Sequence, residues 1–184
     1  MNIRKAVPAD AEMVGSVLMS SYNISDIQEG TRVFYEETEK KINYVVAEEE
    51  IIVGIASWIV HGLPKHGLCE MDRLAVLPEY RGKGIAKKLF SFLVEDAKRF
   101  YESNNSKLRK LYLLTHTTNG NAQGLYKKLG FSHETTLRSH YYNGLDEIVF
   151  SMFFDSTKNR DATLRINYGE NPETGDPDFP CAPV

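Results

Sequence analysis

Apolar residues along this chain switch between a spacing of two and a spacing of three to four, and the switches mark out its elements. Residues 2–7 alternate apolar and basic positions and predict a first strand. Pro8, Ala9 and Asp10 offer a helix start, and Met13, Val14, Val17 and Leu18 give one apolar face to a helix ending near Tyr22. Residues 26–42 predict a second helix, with Ile27, Val33, Phe34 and Ile42 turned inward and a solvated face rich in Glu and Lys. Residues 44–48 and 51–60 are β-branched runs on either side of Glu49 and Glu50 and predict an antiparallel hairpin. Residues 61–67 form a loop by their Gly and Pro content, and its His61 and His66 read as solvated loop histidines.

The most informative stretch is 69–102. Its first part, residues 70–77, is a strand that stops at Pro78, which has no N–H to give to a sheet. A turn follows, Arg81-Gly82-Lys83-Gly84-Ile85-Ala86. Ile85, Leu89, Phe92, Leu93 and Ala97 then recur at helical spacing, with Lys87, Lys88, Glu95, Asp96 and Lys98 between them. Residues 108–115 return as a strand, so strand, helix and strand make a βαβ unit whose two strands run parallel. A short helix over 122–129 closes at Gly130, and strands over 131–142 and 147–154 flank Asn143-Gly144, a hairpin signal. From Asp155 the periodicity stops. Residues 155–184 read as a polar extension outside a single domain over 1–154.

The glycine turn changes the picture from fold to chemistry. The first N–H groups of a helix have no intrahelical partner and lie at the positive end of its dipole. Glycine lets backbone approach a ligand closely, and Arg81 and Lys83 add charge. The stretch therefore reads as an anion cradle or as a plain basic turn, and its own residues do not separate the two. Composition narrows the field. The chain has 184 residues, 42% of them hydrophobic, and a net charge of −3, which speaks against a nucleic-acid partner. Its two cysteines, Cys69 and Cys181, form neither a zinc pattern nor a disulfide framework, so no metal is expected. Without an apolar leader or a long apolar span, the expectation is a cytoplasmic protein with no membrane partner.

Two motifs carry a family resemblance. Residues 81–86 fit the pattern (Q/R)-x-x-G-x-(G/A), with Ala86 in the last position, and residues 119–131 fit N-x-x-A-x-x-L-Y-x-x-x-G-F from Asn119 to Tyr126 and Phe131. In this order, separated by one helix and one strand, they resemble the GNAT superfamily of N-acetyltransferases over roughly residues 1–154. The resemblance implies an α/β fold of mixed type. A central, mostly antiparallel sheet of about seven strands is flanked by helices and holds one splayed parallel pair. It implies acetyl-CoA as cosubstrate, its pantetheine arm along Leu74, Ala75 and Val76. Its pyrophosphate would sit on the amides of Arg81, Gly82, Lys83, Gly84, Ile85 and Ala86, with Asn119 and Tyr126 beside the arm. A homodimer is the family-level default.

The implied activity is direct transfer of acetyl to a primary amine, on a small molecule or a peptide. The alternative is a non-catalytic acyl-CoA sensor. Transfer requires a neutral amine, a proton acceptor and a donor for the departing thiolate. The resemblance points to Tyr126 as the acid and the Val76 N–H as an oxyanion donor. Relatives that acetylate protein N-termini carry a glutamate where this chain has Leu114. Other relatives keep one at the place of Glu70, and Asp72 shares its face by strand alternation, so Glu70 and Asp72 are the candidate bases. His116 and His140 read as structural. Residues 140–146 resemble a tyrosine hairpin at the peptide entrance of N-terminal acetyltransferases but are one residue short. The acceptor site would be built from residues 21–35, 61–67 and this hairpin, where Asp26 and Glu29 would favour a cation.

Overall fold

A computed structural model describes residues 1–154; the extension expected over 155–184, with Cys181, lies outside the described residues. In chain order the elements are β1 (Asn2–Lys5), α1 (Ala11–Ser21), α2 (Ile27–Glu39), β2 (Asn43–Glu48), β3 (Ile52–Val60), β4 (Leu68–Val76), α3 (Ile85–Ser103), β5 (Lys110–His116), α4 (Gly120–Leu129), β6 (Ser132–Tyr142) and β7 (Leu145–Phe153). The strands form one seven-stranded sheet in the order β1-β2-β3-β4-β5-β7-β6. Every neighbouring pair is antiparallel except β4 and β5, the two strands of the βαβ unit. This is the mixed α/β architecture expected from the sequence.

The alternation of strand residues builds a core on each face. On one side Val53, Ala56, Trp58, Met71 and Leu111 pack against Leu89, Leu93 and Ala97 of α3. On the other, Val46, Ile55 and Ala75 pack against Val14, Val17 and Leu18 of α1 and Phe34 of α2. The helices α1 and α2 meet so closely at Gly15 and Gly30 that a Cβ on Gly30 would lie 2.6 Å from the Gly15 carbonyl oxygen. Arg4 on β1 grips the buried Asp10 carboxylate at the start of α1 with two bonds of 2.7 and 2.9 Å. That pairing holds the Asp10 carboxyl below the usual carboxylate range.

Three expectations fail locally. Met13 and Ile27, expected to face inward, are exposed. Each lies at the rim of its helix's buried stripe, where Val14 and Phe34 fill the core side instead. Asp96, expected on a solvated face, is 3% exposed. It accepts from Trp58 Nε1 at 3.3 Å and pairs with Lys5 at 3.0 Å, so its charge is buried with partners rather than bare.

Two irregularities in the sheet open and shape a cleft. The parallel ladder between β4 and β5 covers only Leu68 with Lys110, Cys69 with Leu111 and Glu70 with Tyr112. Beyond it β4 continues to Val76 and β5 to His116 without pairing to each other, so the sheet opens into a wedge. Opposite, β3 pairs Ser57 with Arg73 and Trp58 with Met71, which leaves Asp72 as an extra residue on β4. This bulge breaks the alternation. Asp72 and Arg73 both reach the α1–α2 side, Asp72 to Ser57 Oγ at 3.3 Å and Arg73 to Glu37 of α2.

Candidate active site

The wedge between β4 and β5 gathers most of the residues singled out in the sequence. Its mouth is the glycine turn. Gly82 and Gly84 have φ of +78° and +77°, a region that side chains disfavour, and a Cβ on either would meet nothing within 4 Å. Conformation, not crowding, therefore calls for glycine, and the space above the turn stays open. Gly84 is the N-cap of the 19-residue α3 and supplies no side chain to its first amides. Arg81, Lys83, Lys87 and Lys88 surround this end and are exposed. The Arg81 guanidinium donates to the Val76 carbonyl at 2.9 Å, and Lys83 lies 4.8 Å from the centre of the Tyr80 ring. Backbone N–H groups at a helix start, the helix dipole and exposed cations suit a phosphate ester.

Along the wall, the open edge of β4 offers main-chain groups to an extended ligand. One of them is already engaged. The Leu74 N–H donates to the hydroxyl of Tyr22, at the end of α1, at 3.1 Å. The Arg73 guanidinium lies 4.8 Å from the Tyr22 ring centre. Burial raises the Tyr22 phenol, and the nearby Tyr126 adds to the rise, so two tyrosines from opposite faces of the sheet converge on the wedge. Nothing in the sequence singled out Tyr22. Its position follows only from where α1 stops.

Tyr126 projects from α4, half-buried, its ring 6.1 Å from those of Phe131 and Phe150. Burial pushes its phenol up to about 12, so it is a proton-bearing donor at neutral pH. Asn119 is the N-cap of α4. Its Oδ1 accepts from Ala122 N at 3.2 Å, which leaves the Nδ2 group for any ligand contact.

At the closed end, where the parallel ladder stops, stands Glu70. Its Oε2 lies 2.6 Å from His61 Nε2 and accepts from the Tyr112 hydroxyl at 2.9 Å. His61 is thus not the solvated loop histidine expected. The hairpin register sets Ile59 opposite Glu70 and so carries His61 onto the carboxylate. Asp72 feels Glu70 and Glu37 nearby; burial and these charges hold it above the ordinary carboxylate value, with Arg73 opposing. His116 pairs opposite Glu147 farther out on the wedge, its Nδ1 3.5 Å from Glu147 Oε1. Beyond Leu137 the hairpin β6–β7 bulges, leaving His140 and Tyr141 exposed at the end of β6, next to a turn braced by Asp146 and Ser139. Among the described residues no group of three His, Cys, Asp or Glu is set to hold a metal, and no helix is long and apolar enough to cross a membrane.

The groups available are therefore a mouth suited to an anion, a main-chain wall, a phenol donor and a carboxylate at the vertex. Residues 39–133, just over half of the chain, match the acetyltransferase (GNAT) domain family. A Bacillus subtilis protein named as a candidate [ribosomal protein bS18]-alanine N-acetyltransferase is 35% identical over 82 residues, 44% of this chain and 50% of that relative. N-alpha-acetyltransferase 30 of Schizosaccharomyces pombe is 29% identical over 116 residues, 61% of this chain and 72% of the relative. The match thus spans half of the first relative's length and more of the second's. An aminoglycoside 6'-N-acetyltransferase solved with coenzyme A superposes with a TM-score of 0.69 at 15% identity, covering 83% of this chain and 97% of that one, a likeness of fold. With the glycine turn, the wedge and the Asn119–Phe131 motif in their places, the chain belongs to the GNAT acetyltransferase family.

Proposed function

We propose that this protein transfers an acetyl group from acetyl-CoA to a primary amine, with residues 1–154 carrying both the donor and the acceptor sites. The observation that carries the reading is the wedge itself, with the glycine turn at its mouth, Tyr126 on one wall and Glu70 at its vertex. Acetyl-CoA supplies the activated thioester. The amides of residues 81–86, with Arg81 and Lys83, hold its pyrophosphate, and the edge of Leu74, Ala75 and Val76 receives the pantetheine arm. Asn119 contacts the arm through Nδ2. The Val76 N–H, two residues on from Leu74 on the same edge, is the donor assigned to the carbonyl oxygen as charge develops there. Glu70 accepts the amine's proton, and Tyr126 donates to the departing sulfur.

A screen for free thiol release from acetyl-CoA against polyamines, amino acids, amino sugars and short peptides tests this reading. Thiol release with at least one amine, with the N-acetyl product seen by mass spectrometry, is the expected result. Binding of acetyl-CoA without turnover on any amine would leave a sensor in place of an enzyme. Cys69 does not disturb the readout, because it is fully buried and burial raises its thiol.

The mouth makes a separate prediction. Gly84→Ala forces an L-residue into φ near +77° at a cost of about 1 kcal/mol. If the strain is relieved by turning the first amides of α3 away, acetyl-CoA binding weakens by about fivefold. Initial rates should show a raised acetyl-CoA KM with kcat little changed, and a KM equal to wild type would remove the turn from the binding site.

A further inference from the structure

The Glu70 carboxylate is held unevenly. Both of its close partners, His61 Nε2 at 2.6 Å and the Tyr112 hydroxyl at 2.9 Å, address the same oxygen, Oε2. Oε1 has no hydrogen-bond partner among the described residues. The imidazole and phenol rings lie 5.5 Å apart and flank that oxygen from two different elements, the loop after β3 and the strand β5. A carboxylate pinned through one oxygen by two donors cannot turn freely, and its other oxygen is thereby given a fixed direction.

The loop that carries His61 is itself braced. The His61 N–H donates to Leu68 O at 3.0 Å, and the Leu63 N–H donates to His66 Nδ1 at 3.2 Å. The carbonyl of Gly67 accepts from the amides of Arg109 and Lys110 at 2.8 and 2.9 Å, which ties the loop's end to the start of β5. His61 therefore stands on a rigid mount, although its side chain is 40% exposed. A polar contact kept only for stability would gain little at that exposure. The pair also sits where the parallel ladder of β4 and β5 ends, at the vertex of the wedge.

We propose that His61 is a positioning residue for acetyl transfer: with Tyr112 it fixes Glu70 through Oε2 and so dedicates Oε1 to the acceptor's proton. The inference rests on the reading of Glu70 as the base. In the step it serves, the amine nitrogen bonds to the thioester carbonyl carbon and the C–S bond breaks. One N–H proton passes to Glu70 Oε1, directly or through a water, and then to solvent. The thiolate, held by the Tyr126 hydroxyl, takes a proton from solvent, so protons balance over the turnover. His61 keeps its Nε2–H bond to Oε2 throughout.

The test is a double-mutant comparison of kcat and KM with acetyl-CoA and an amine found active in the screen, such as spermidine or an alanine-leading peptide. His61→Ala frees the carboxylate to turn and should lower kcat by about tenfold, the scale expected when a reacting group loses its orientation, with the acetyl-CoA KM unchanged. His61→Gln, whose Nε2 amide can donate from a similar place, should recover most of the loss. In a Glu70→Gln background, His61→Ala should cost nothing further, because there is no longer a carboxylate to orient. Wild-type kcat in His61→Ala, or the same loss in both backgrounds, would overturn the positioning role while leaving Glu70 as the base. Wild-type kcat in Glu70→Gln would overturn the base assignment and this inference together.

Discussion

Tyr126→Phe should lower kcat by about 10- to 100-fold and leave the acetyl-CoA KM nearly unchanged. The size follows from what the phenol can do. Burial holds Tyr126 up to about 12, whereas a free thiol titrates near 8.5. Complete transfer of the phenolic proton to the leaving thiolate would therefore run uphill. What remains is a hydrogen bond to a sulfur that gains charge as the C–S bond breaks, and a bond to a charged group is worth about 1.5–3 kcal/mol, which gives the range above. The aromatic packing against Phe131 and Phe150 survives in phenylalanine, so the fold should not suffer. Steady-state kinetics decide the matter: an unchanged kcat would show that the hydroxyl does not reach the sulfur. Tyr22 is the control, since its hydroxyl comes into the same wedge but is bonded to Leu74 N.

Glu70→Gln should cost at least as much, about 100-fold or more in kcat at neutral pH, in line with the loss of a general base. The loss should shrink as pH rises towards the pKa of the acceptor amine, because a neutral amine has less need of a proton acceptor. Asp72→Asn is the comparison that gives the result meaning. Asp72 was an equal candidate from the sequence, but its carboxylate is taken up by Ser57 and by Arg73 at 3.4 Å, and its substitution should have the smaller effect. A pH–rate profile of both variants against wild type would show this. A larger effect of Asp72→Asn would move the base two residues along the strand.

Much of this was legible in the chain. The βαβ unit, the glycine turn and the capped helix α4 each rest on local patterns, because turns, caps and periodicity are decided by neighbours within a few residues. The Asn143-Gly144 turn was found for the same reason. Apart from Met13 and Ile27, which lie at the rims of their helices' buried stripes, the misses are contacts between distant residues. Asp96 stands among lysines and glutamates and reads as solvated; only its meeting with Trp58, from strand β3, shows that it is buried. His61 has no motif, and its partner Glu70 lies nine residues away across a hairpin. Tyr22 meets β4 from 52 residues away. The bulge at Asp72 has no signature in residue type, and it decides which side chains share a face with Glu70.

The bulge also brings Arg73 to Glu37 on α2, and Glu37 in turn accepts from the Tyr44 hydroxyl. Helix α2 is thus latched to the strand that carries Glu70. Residues 22–41 thus form a segment pinned to β4 through Glu37. On the proposed function, substitutions around Tyr22 and the exposed first turn of α2 should change amine preference, while the Glu37–Arg73 pair keeps the segment seated over β4. Recombining the segment between relatives, in nature or by design, should succeed where glutamate and arginine travel as a matched pair and fail where only one of them does.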